Sequence, residues 1–172
     1  MLKTNTCCFI GHRDAEATPD LVLSVRASVR ALITIFGADT FLFGSGSGFD
    51  RICLSVVTEL KEEYPHIRRI YVRAEFPDID DFYRGKLLEK YDDTFFPEEI
   101  RSAGRARYVE RNRIMIDLAD SCVFYYRGES TVDGRTGKKR RSGTALAWDY
   151  AVKRKKDIYN VNEIMCPENF LK

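Results

Sequence analysis

Several short polar segments of the chain carry the groups that hold anions. Gly44-Ser45-Gly46-Ser47-Gly48 joins the apolar run Phe41-Leu42-Phe43 to Phe49-Asp50. A glycine gives up more backbone freedom on folding than other residues, roughly 0.5–1 kcal/mol relative to Ala in a regular element. Such a loop is therefore either a tight turn or a place where backbone must come close to something. Where a strand runs into a helix, free amides and the helix dipole favour an anion, and glycines let the backbone approach a phosphate. Ser45 and Ser47 add hydroxyls. GSGSG lacks the last glycine of GxGxxG, and Phe49-Asp50 stand where a P-loop has Lys-Ser/Thr. The local pattern alone leaves both turn and phosphate cradle open.

Gly11-His12-Arg13 and Ser142-Gly143-Thr144 are the other two segments. Arg13 has the fork geometry to clamp a phosphate, and His12 can donate a hydrogen bond or exchange a proton near neutral pH. Taken alone, these three residues also read as a solvated loop. Ser142 and Thr144 begin a helix, a place where Ser and Thr serve as caps without any ligand. Two such helix starts at one sheet edge point to one shared anion site. In Glu110-Arg111-Asn112-Arg113 the two arginines cannot both lie on the apolar stripe, so one is free to point along the sheet edge. Asp50 and Glu75, each near a strand end, are the available carboxylates.

The elements that must position these groups alternate. Thr6–Ile10, Thr40–Phe43, Ile67–Val72, Asp93–Phe96, Ser121–Tyr126 and Asp157–Asn160 read as strands. Asp20–Ile35 has Leu21, Val25, Val29, Leu32 and Ile33 at helical spacing after Thr18-Pro19, and Asp50–Tyr64 places Ile52, Val56 and Leu60 on one stripe. Phe82–Tyr91, Arg107–Ala119 and Gly143–Arg154 read as further helices, and 127–142 as a loop. The alternation predicts an α/β three-layer Rossmann-like fold, with a mainly parallel sheet and helices on both faces. In such a sheet ligands sit at the carboxyl ends of the strands, where all three polar segments fall.

Length and composition set the bounds. A chain of 172 residues, with 44% hydrophobic and 31% charged residues, suits a single domain spanning residues 1–172. No run approaches the roughly 18–20 apolar residues of a membrane helix, and the start shows no secretory pattern, so a cytoplasmic protein is expected. Cys7, Cys8, Cys53, Cys122 and Cys166 form no CxxC pair and read as buried thiols, so no metal site and no cofactor is expected. The net charge of +2 is nearly balanced, but 135–141 (RTGKKRR) and 153–156 (KRKK) are basic. The basic loop 134–141 is either a solvated insertion or a lid over a polyanion or nucleic acid. No aromatic residue interleaves it, as single-strand platforms require.

CCFIGHRD, FLFGSGSGFD, ERNRIMIDLADSCVFYY and SGTALAWDYAVKRKKDIYNV, taken in order, resemble the SLOG superfamily, which includes the Smf/DprA proteins and the LOG phosphoribohydrolases. The likeness runs over nearly the whole chain and is nearest to the small bacterial branch. It implies a Rossmann-like sheet, a pocket for a nucleotide-derived ligand (NAD, ADP-ribose, a nucleoside phosphate) or single-stranded DNA, and a homo-oligomer, often a dimer. Arg111 matches the arginine that LOG enzymes carry in the corresponding segment. Gly143-Thr144 match a GTxxE motif shared with nucleoside deoxyribosyltransferases, but Ala147 replaces its glutamate. Cleaving an N-glycosidic bond develops positive charge on the ribose, which a carboxylate stabilises and an alanine does not. The resemblance therefore implies a binding module first. An N-glycoside hydrolase or transferase using Arg111 with Asp50 or Glu75, and a DprA-like DNA-associated protein, are the alternatives.

Overall fold

The computed structural model describes residues 5–128 and 131–162. A six-stranded parallel sheet forms its centre, in the order β4-β3-β2-β1-β5-β8. The strands are β1 (Thr6–Gly11), β2 (Thr40–Phe43), β3 (Arg68–Val72), β4 (Asp93–Phe95), β5 (Ser121–Tyr125) and β8 (Asp157–Asn160). Register runs straight across the middle, with Cys8 beside Leu42 on one side and beside Cys122 on the other. The expected α/β Rossmann-like architecture is thus the observed one.

Alternation along the strands divides the core into two layers. Cys7, Phe9, Phe41 and Phe43 face α1 (Pro19–Thr34) and α2 (Gly48–Glu63). Cys8, Ile10, Leu42 and Phe124 face α4 (Ala106–Leu118) and α5 (Gly143–Lys153). Helix α1 starts where Thr18 Oγ1 accepts the amide of Leu21, with Pro19 in the first turn. Its five spaced apolar residues are all buried, as are Ile52, Val56 and Leu60 of α2. Short helix α3 (Asp81–Leu88) buries none of its residues. Cys7, Cys8, Cys53 and Cys122 are buried free thiols, while Cys166 lies outside the described residues.

Two details depart from the sequence reading. The segment 127–142 is not loop throughout: β6 (Thr131–Val132) and β7 (Lys139–Arg140) pair antiparallel. Asp133 organises the turn between them, its Oδ1 accepting the amides of Arg135 and Thr136, and such short-range turn chemistry leaves little hydrophobic pattern to detect. In the helix expected over Arg107–Ala119, the apolar Leu118 is 53% exposed while Met115 and Ile116 fill the core. Among the described residues no helix is long and apolar enough to cross a membrane, and no cluster of three metal-binding side chains occurs.

Candidate functional site

The first half of α4 passes over the carboxyl ends of β2 and β3, and there it delivers Arg111. The side chain is only 6% exposed. Its Nε donates to Asn112 Oδ1, and its Cζ lies 5.8 Å from the Tyr108 ring centre. No carboxylate among the described residues comes within ion-pair distance of its guanidinium. Gly44 makes this placement possible. A Cβ there would lie 2.6 Å from Arg111 Nε and 2.8 Å from Met115 Sδ, so any larger residue would push the arginine aside. Arg113, the other arginine of the segment, instead sits over the Tyr150 ring on the outer surface.

Arg111 lines an open cleft together with Arg13, Gly44, Ser45, Gly46 and Glu75. Thus six of the residues singled out in the sequence meet at one place. Tyr71, Arg73, Ala74, Phe76, Tyr83 and Tyr108 complete the lining. Three arginines against the single carboxylate of Glu75 make the cleft electropositive.

The glycine loop does something other than cradle a phosphate with all its amides. Asp50, in the first turn of α2, is buried, and its Oδ2 accepts from Ser45 N at 2.7 Å, Ser45 Oγ at 2.9 Å and Gly44 N at 3.3 Å. Ser47 N turns to Ser45 Oγ, and Gly48 N donates to Arg13 O. The acid thus takes the place an external anion would have at these first amides. Burial holds the Asp50 carboxyl above the ordinary carboxylate range, against the opposing pull of Arg111 and the donors of Ser45 and Gly44. Burial likewise lowers Arg111, with Asp50 countering it. Asp50 therefore stiffens the loop beneath Arg111, and it is not placed as a free base for chemistry.

The remaining predicted residues lie elsewhere. Gly11 packs on Phe49, whose ring a Cβ would overlap at 2.3 Å. Gly48 packs as closely on the carbonyl of Ala15. His12 is buried between the ends of β1 and β5, where its Nε2 accepts the amide of Arg127. Ser142 caps α5 through Oγ to Ala145 N, with Gly143 and Thr144 in the first turn behind it, and none of the three lines the cleft. Ala147 is buried in the apolar layer between α5 and the sheet, and Asp149 pairs outward with Arg141.

Sequence reasoning missed the β3 end of the cleft. Arg73 Nη1 donates to the carbonyls of Phe76 and Pro77, and this grip accompanies a left-handed backbone at Phe76, φ 55°. Strain of that kind gathers at ligand sites. Phe76 is 57% exposed and meets Tyr83 edge-on. Tyr108 hydroxyl donates to Glu75 Oε1. The available signal was an arginine and an acid directly after an apolar strand, at the edge where ligands bind.

No family model and no curated protein sequence matches the chain. Among solved structures, DNA processing protein A from Helicobacter pylori, which binds single-stranded DNA, is similar over 97% of this chain and 71% of its own, at 18% identity and a TM-score of 0.55. The Moco carrier protein of Chlamydomonas rheinhardtii is similar over 91% of this chain and 74% of its own, at 16% identity and a TM-score of 0.49. The chain is therefore an α/β protein with the Rossmann-like fold of DNA processing protein A. That is the fold the SLOG resemblance implied.

Proposed function

We propose that the protein binds a nucleotide-derived small molecule, with the phosphate held between Arg13 and Arg111 at the carboxyl ends of β2 and β3. One observation carries this reading. Arg111 is a nearly buried guanidinium with no carboxylate in ion-pair reach among the described residues, and it faces an open cleft. Burying a charge costs stability unless an opposite charge meets it. A ligand phosphate supplies that charge, and the arginine fork matches its geometry. Arg13 stands exposed at the rim, where it can close on the same group.

A second reading rests on Phe76 and Tyr83, aromatic rings exposed beside the arginines. Aromatics interleaved with cations suit the bases of a single strand, and the similar DNA processing protein A binds single-stranded DNA. The buried position of Arg111 favours the small molecule, because a terminal phosphate reaches it more easily than a phosphodiester in mid-strand.

Calorimetric titration with AMP, ribose 5-phosphate and a short oligothymidylate separates the readings. AMP and ribose 5-phosphate are expected to bind wild type, and Arg111→Gln to weaken both about 10- to 100-fold, the worth of a charge-assisted contact. Unchanged binding in Arg111→Gln would remove the proposed anion site. Oligothymidylate binding that falls steeply with salt, without AMP binding, would establish the second reading instead.

A further inference from the structure

A second hollow of about 570 Å³ lies directly beside the arginine cleft, and Ala74, Glu75 and Phe76 line both. These residues, the continuation of β3, form one wall with a hollow on either side. The two hollows differ in chemistry. The first presents Arg13, Arg73 and Arg111. The second sets apolar surface from Phe76, Pro77, Phe96, Ile100 and Ala103 beside the charged Glu98, Arg101 and Arg107.

The second hollow is built on ordered chain. Its far side is the segment 97–105, and Glu110 of α4 ties that segment down. The Glu110 carboxylate accepts the amides of Arg101 and Ser102 and the hydroxyl of Ser102. Arg107 Nε donates to Gly104 O from the same helix. Adjacent α4 residues thus serve the two sides: Arg107 lines the second hollow, whereas Tyr108 and Arg111 line the first. Tyr108 also fixes the shared wall through its hydrogen bond to Glu75. One helix therefore sets both hollows relative to each other.

We infer that the second hollow is the base subsite of the ligand whose phosphate Arg111 holds. A nucleotide has the same division, a charged end and a flat, weakly polar ring joined by a sugar. Its sugar crosses the Ala74–Phe76 wall, and its ring lies on the apolar surface beyond. Apolar surface with polar groups placed around it is suited to such rings, and here Phe76, Phe96 and Ile100 give the surface and Glu98, Arg101 and Ser102 the polar groups. This inference rests on the proposed anion site and adds what lies at the other end of the ligand.

The test uses Ala103, an exposed residue of the tied segment. Ala103→Leu and Ala103→Trp fill the second hollow stepwise without touching the cleft, and thermal melting verifies that both fold. Calorimetry then compares AMP with ribose 5-phosphate, which has no base. Wild type is expected to bind AMP about tenfold more tightly, in keeping with the worth of one base contact. Ala103→Trp is expected to erase that advantage and leave ribose 5-phosphate unchanged, with Ala103→Leu between. Equal affinity of wild type for both probes, or an AMP advantage that survives Ala103→Trp, would overturn the base subsite. In either case, binding of both probes that is lost in Arg111→Gln would leave the anion site standing. Failure of wild type to bind either probe would remove both.

Discussion

The carboxyl edge of the sheet has two crevices, and they are built in opposite ways. Between β1 and β5, where the strand order reverses, an open α/β sheet usually takes its ligand. Here that crevice is tied across. His12 N donates to Tyr125 O, His12 Nε2 accepts from Arg127 N, and Arg127 pairs with Asp14. At the ends of β2 and β3 the reverse holds. The cleft is open, and Arg111 reaches it without a carboxylate in ion-pair range among the described residues. Both crevices begin from similar letters, a glycine with a polar residue and an arginine after an apolar strand. The difference lies in where the polar atoms are spent. Internal partners consume them in one crevice and leave a cation facing outward in the other.

The largest expected effect breaks the floor of the open cleft. Asp50→Ala removes the acceptor of two loop amides and a hydroxyl, and leaving buried donors unpaired costs about 3 kcal/mol. Urea denaturation measures the loss. Asp50→Asn retains an acceptor and is expected to cost less. The pH dependence has a definite sign. Because the folded pKa of Asp50 is raised above 3.8, its contribution to stability is complete below 3.8 and is lost as pH rises through the folded value. Wild type should therefore lose ground to Asp50→Asn as pH rises from the acid range. A gap that widens the other way would mean the three donors outweigh burial.

Gly44→Ala tests the placement of Arg111 itself. The new Cβ would meet the guanidinium at 2.6 Å, so the variant should lose about 1–3 kcal/mol to overpacking and bind AMP poorly by calorimetry. Gly46→Ala is the control, since its Cβ would meet nothing within 4 Å, and its stability should change by less than about 1 kcal/mol. If Gly44→Ala binds normally, the close contact between Gly44 and Arg111 is not what sets the site.

Smaller effects probe the closed crevice. His12→Ala removes the acceptor for Arg127 N and should cost about 1–2 kcal/mol while AMP affinity holds. Ser142→Ala removes an N-cap, worth about 1 kcal/mol, again without a change in affinity. A loss of AMP binding in either variant would move the ligand to the β1–β5 side and reverse the comparison.

How much of this was legible can be judged residue by residue. The apolar stripes of α1 and α2 and the strands of the sheet follow from periodicity, because one side of each helix and both faces of a parallel strand must be buried. The start of α1 at Thr18-Pro19 was also readable, and Arg111 was singled out only by the resemblance to the SLOG proteins. Helix phase did not separate Arg111 from Arg113, since it does not say which neighbour each side chain meets. Arg73, Phe76 and Tyr108 went unnoticed because no local spacing joins the end of β3 to the start of α4.

The sequence by itself determined the class of fold, the division of the core into two layers and the edge at which polar groups would gather. Those depend on local periodicity and on the right-handed, parallel connections it imposes. Only the tertiary structure decided which crevice is open. Asp50 folds back on its own loop, and His12 accepts from Arg127, 115 residues further along the chain. Gly44 lets an arginine from another helix come close. Whether a hydrogen-bonding group is satisfied inside the protein or offered to a ligand depends on neighbours distant along the chain, and no local pattern encodes that.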